Sequence, residues 1–166
     1  MTTSHNEISV NFVDATWLEI GNTEDEDLIM ELSSEFSSSQ PSLSEFILAS
    51  VDDLSEDAKE LGYYIGFVAW RCYAGFYESR LGEVSTDEIV ERAEQMEASI
   101  SDVEEDVLED ISVFSSQESH LWQYIVDTVL EEHEDMTLTE DEKASLLATL
   151  KIHTDCLSAA VAKTIH

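Results

Sequence analysis

The chain has 166 residues, 38 of them acidic and 7 basic, for a formal net charge of −31. A surface that lopsided repels nucleic acid and anionic lipid and attracts cations and basic proteins. With 43% apolar residues, five glycines and one proline, the composition excludes a disordered acidic tail and a turn-rich β-sandwich, and it points to one domain of long helices around a core.

The two cysteines, Cys72 and Cys156, lie far apart in apolar surroundings. They form no CxxC pair, which suggests a reducing compartment and not a disulfide framework. No basic segment followed by an apolar stretch opens the chain, so no secretory signal is read there. The most apolar run, 61–76, is interrupted by Arg71 and has 16 residues. It is too short to span a bilayer and reads as a buried helix. The expected location is cytoplasmic, with no membrane association.

Residues 7–20 are ambiguous. Ile8, Val10 and Phe12 alternate like a strand, whereas Val13, Trp17 and Ile20 are spaced like a helix. With no evident pairing partner, 1–22 reads as a helix or an extended N-terminal arm. Leu28, Ile29, Leu32 and Phe36 then form a helical stripe from Glu24 to Phe36, with acids in its first turn and Ser37 to Gln40 as a break. Pro41 suits a first helical position, opening a helix to about Val51 that buries Leu43, Phe46 and Ile47.

Ser55 is placed as the N-cap of a long helix to about Gly82. Its apolar residues wrap most of the circumference, as in a central helix, and Gly62, Gly66 and Ala69 form a small-residue ridge for close packing. A capping box from Ser85 to Glu88 opens a helix with Ile89, Ala93 and Met96 inward. Ser101 or Asp102 begins another, with Val103, Val107, Ile111 and Phe114 as its apolar stripe. Two more follow, from about Gln117 to Glu132 and from Thr139 to near the C-terminus, the second with Glu142 completing its capping box.

The expected fold is therefore all-α, a single-domain bundle of about six to seven helices. Within it, two αα-hairpins, about 41–82 and 119–165, read as duplicates, with 83–116 as a helical linker pair between them. Leu43, Phe46, Ile47 and Val51 match Leu121, Tyr124, Ile125 and Val129 at an offset of 78. Leu54-Ser55-Glu56-Asp57 and Lys59 then match Leu138-Thr139-Glu140-Asp141 and Lys143 at an offset of 84, which also sets Cys72 opposite Cys156. Two copies are too few for a solenoid, so the expected product is a pseudo-symmetric bundle with the cysteine-bearing helices packed at its centre.

Motifs for chemistry are missing. A carboxylate-bridged di-metal bundle needs Glu-x-x-His motifs, but Leu130 stands three positions before His133, and neither HExxH nor an EF-hand pattern occurs. His153 precedes Cys156 by one helical turn, yet a reactive thiol needs a neighbouring cation or a helix N-terminus, and core cysteine is the better reading. No glycine-rich phosphate loop is present, and no clustered lysines and arginines suit nucleic acid. No catalytic, cofactor-binding or metal-ligating residue is assigned.

What remains is charge. Segments 1–60 and 83–142 carry net −14 and −20, whereas 61–82 and 143–166 carry +1 and +2. The candidate partner-binding face comprises Asp102, Glu104, Glu105, Asp106, Glu109 and Asp110, together with Glu131, Glu132, Glu134 and Asp135. The leading expectation is a non-enzymatic helical interaction protein that binds a basic protein surface. The alternatives are a DNA mimic that blocks a DNA-binding protein, a carboxylate-based metal-dependent enzyme, and a surface acidic only for solubility or salt adaptation. For mimicry, an even spread over about 8,000 Å² gives roughly 270 Å² per charge. Duplex DNA has about 110 Å² per charge on a cylinder of about 10 Å radius.

Overall fold

The computed structural model describes residues 8–21, 26–78, 81–101, 119–131 and 138–164. These form seven helices and no strand: α1 (Val10–Gly21), α2 (Glu26–Ser39), α3 (Pro41–Ser50), α4 (Glu56–Tyr77), α5 (Thr86–Ser101), α6 (Ser119–Leu130) and α7 (Glu140–Thr164). The protein is an all-α helical bundle. The helix expected to begin at Ser101 or Asp102 lies outside the described residues.

Helix starts follow local chemistry. Ser55 Oγ accepts from Ala58 N (3.3 Å) at the head of α4. Both expected capping boxes form, Ser85 with Glu88 and Thr139 with Glu142. Ser9 supplies a further cap, accepting from Phe12 N at 3.2 Å. The ambiguous N-terminal segment is thus helical from Val10, and its helical stripe prevails, with Val13, Thr16 and Ile20 buried.

Two helix ends differ from the sequence expectation. Helix α2 runs through the serines to Ser39 and stops only at Gln40, whose φ of −133° and ψ of 64° are non-helical. Pro41 disfavours the α region for the residue before it, so the proline and not the serines sets the boundary. Helix α4 ends at Tyr77, five residues before Gly82, because Glu78 turns to φ 52° and ψ −125°.

The core is built on α4 and α7, the most extensively packed helix pair. Ser55 N donates to Glu142 Oε2 (2.9 Å), Gly66 O lies 2.9 Å from His153 Nε2, and Tyr73 OH lies 2.6 Å from Ser158 Oγ. These partners advance together along both helices, so α4 and α7 run parallel. The small-residue ridge makes the approach feasible. A methyl group at Gly62 would sit 2.7 Å from Leu146 Cδ2 and 3.0 Å from Val51 Cγ1, and one at Gly66 would sit 2.6 Å from Ile47 Cδ1.

The matched hairpin positions share environments. Leu43 and Leu121, Ile47 and Ile125, Val51 and Val129, and Cys72 and Cys156 are all buried. The correspondence extends further than the sequence comparison reached. At an offset of 76, Ile8 and Val84 are both fully buried, Ser9 and Ser85 both cap, and Val13 and Ile89 are both buried. Helix α1 packs on α4 and α6, while α5 packs on α7 and α3, so each covers its own hairpin's long helix and the other hairpin's short one. Segment 86–101, read from sequence as part of a linker, is therefore integral to the bundle.

Candidate functional site

Every aspartate and glutamate whose side chain is described is at least partly exposed. Among the described side chains of lysine, arginine, aspartate and glutamate, the only buried one is Lys151, 6% exposed, whose Nζ lies 2.6 Å from Asp155 Oδ1 and 5.9 Å from the Trp122 ring centroid. Two ion pairs occur among these residues, Lys151–Asp155 and Lys59–Glu56 at 3.5 Å. The acids thus form a largely unneutralised coat. The fold accounts for this distribution in part, since α4 and α7, with seven acids against five bases, are nearly neutral and occupy the centre.

Of the candidate face, Glu131 is described and exposed, just past the end of α6. Asp102, Glu104, Glu105, Asp106, Glu109, Asp110, Glu132, Glu134 and Asp135 lie outside the described residues. Around Glu131 the structure adds two acids. Asp127, one turn earlier on α6, accepts from Gln123 Nε2 at 2.9 Å. Asp14 of α1 comes from across the helix interface, where the Trp17 and Tyr124 ring centroids lie 4.4 Å apart, tilted at 37°. The Tyr124 phenol is pushed up by burial and, beyond that, by Asp14, Cys72 and Glu131, so both carboxylates act on one ring. Sequence reading missed Asp14 because 7–20 had no settled conformation. Once that segment is helical, the spacing of Val13, Trp17 and Ile20 turns Asp14 outward.

Both cysteines are buried in the core, with no disulfide. Cys156 is 1% exposed, and burial pushes its thiol up to about 12, opposed by Arg92 and reinforced by Asp155. A thiol in that state is protonated and inert at neutral pH. His153 is fully buried, with Nε2 on Gly66 O and Nδ1 unpartnered, and burial lowers its pKa to about 4 against the raising effect of Gly66. Among the described residues no group of three His, Cys, Asp or Glu side chains is arranged to hold a metal ion. No described helix is long and apolar enough to cross a membrane.

Comparison with protein-family models, with curated proteins and with solved structures finds no match to this chain.

Proposed function

We propose that the protein is a non-enzymatic interaction module whose acidic coat binds a basic protein surface. The observation that carries this reading is the separation of charge from core. The acids whose side chains are described are all at least partly exposed, acids outnumber bases 38 to 7, and the central helices are nearly neutral. Unpaired like charges repel one another and destabilise the compact state, so a cationic partner relieves a strain that the free protein carries. Duplication of the αα-hairpin, together with the helix that precedes each copy, is part of the proposal. Its support is the shared burial and capping of 8–13 with 84–89 and of 43–59 with 121–143.

DNA mimicry is the narrower alternative, and charge density weighs against it. The exposed surface of 9302 Å² shared by 31 net charges gives about 300 Å² per charge, nearly threefold more dilute than the roughly 110 Å² per charge of duplex DNA. Mimicry requires the acids to be concentrated on a minor part of the surface. The test is capture from lysate on the immobilised chain at low salt, followed by elution with rising salt. Basic proteins released by salt support the proposal, and failure to retain any basic protein contradicts it. Release of the same proteins by competing duplex DNA would favour the mimic.

A further inference from the structure

Between α1, α2 and α4 the bundle leaves a cavity of about 370 Å³. Its walls are Ile20 of α1, Ile29 and Ser33 of α2, and Tyr63, Tyr64 and Phe67 on one face of α4, with Lys59 and Glu60 at the same helix's outer turn. The volume equals about a dozen water molecules and falls in the lower range of small-molecule pockets. The polar wall groups are largely committed. Ser33 Oγ and Tyr63 OH bond each other at 2.8 Å, and Lys59 is paired with Glu56.

Glu60 differs. It is exposed, and among the described residues no cation lies within ion-pair distance of it. One helical turn on, Tyr63 and Tyr64, and two turns on Phe67, contribute aromatic rings, whose faces attract cations. The field of a chain with net charge −31 also concentrates cations and excludes anions. We propose that this cavity is a binding site for a small hydrophobic amine: an aromatic or aliphatic body of about twelve heavy atoms enters between α1, α2 and α4, and its ammonium group meets Glu60. The assignment is independent of the basic-protein reading, since it uses a concave apolar site and not the convex coat.

The test is calorimetric titration of the full chain with three probes of one shape: tryptamine, the anion indole-3-acetate and the neutral 3-ethylindole. Tryptamine is expected to bind with a Kd below about 1 mM, and at least roughly tenfold more tightly than either of the others. Glu60→Gln is expected to weaken tryptamine about tenfold, and Lys59→Gln to strengthen it. Ile29→Trp, which fills the cavity without touching a charge, should abolish binding. Glu91→Gln, an exposed acid on α5, removes the same unit of charge and should change nothing. Equal weakening by Glu91→Gln and Glu60→Gln would reduce the effect to non-specific counterion attraction and overturn the site. Tighter binding of indole-3-acetate, or no binding of any probe, would overturn it as well.

Discussion

His153 brings an imidazole into the contact between α4 and α7, where Phe36 meets its ring edge-on at 5.9 Å and Gly66 O holds Nε2. Burial lowers its pKa to about 4 from the ordinary 6.5 of an imidazole. Between those values the unfolded chain binds the proton and the folded chain does not. The contribution to stability is therefore complete above about pH 6.5 and is lost as pH falls towards 4, by up to about 3 kcal/mol. Changes in overall charge with pH act on the same comparison, so the imidazole must be isolated by difference. Denaturant unfolding of wild type and His153→Leu at pH 7.5 and 4.5 should show the wild type losing about 2–3 kcal/mol relative to the variant. Parallel pH profiles would contradict the buried, neutral imidazole. Glu78 gives a second prediction at this scale. Its φ of 52° with ψ of −125° suits glycine alone, so Glu78→Gly should raise stability by about 1 kcal/mol, read as a higher denaturant midpoint.

Helix identity was largely legible because capping boxes and apolar stripes are local signals. Ser55, Ser85–Glu88 and Thr139–Glu142 occupy the roles that their spacing suggests. Contacts made across the bundle were not legible. Glu142 caps its own helix through Thr139 N and also accepts from Ser55 N at the head of α4, and these bonds hold its carboxyl below the usual range, the Ser55 amide most of all. Gln40, read as part of a break, is 2% exposed; its Nε2 donates to Gly82 O (2.8 Å) and its Oε1 accepts from Val84 N (2.9 Å). That side chain fastens the α2–α3 junction to the strand of chain leading into α5. Gln40→Leu keeps the volume but leaves the buried Val84 amide without its acceptor, at a cost of about 1–3 kcal/mol. Thermal unfolding should show the loss, and hydrogen exchange should show faster exchange at Val84. An unchanged variant would mean that the clamp is dispensable.

At the scale of the whole molecule, the described acids lie at the surface around two parallel, nearly neutral helices. The neutrality of 61–82 and 143–166 was visible in the sequence and marked the future centre. The candidate acidic face was legible only as a run of residues. Its larger part falls outside the described residues, and Asp14 enters from a helix that local pattern left undecided. Shell repulsion has its own consequence: the Debye length shortens from about 10 Å at 0.1 M salt to about 3 Å at 1 M, so thermal stability should rise by several degrees over that range. A flat salt response would mean that the acids are too dispersed to interact. The central claim concerns what the shell binds, and it is tested most directly by the salt dependence of a purified complex. A basic protein retained on the immobilised chain should bind the free chain with an affinity that falls roughly tenfold or more between 50 and 200 mM salt. Neutralising Asp102, Glu105, Asp106 and Glu109 as amides should weaken it further without lowering thermal stability. An affinity that ignores both salt and those four substitutions would contradict the acidic coat as the binding surface.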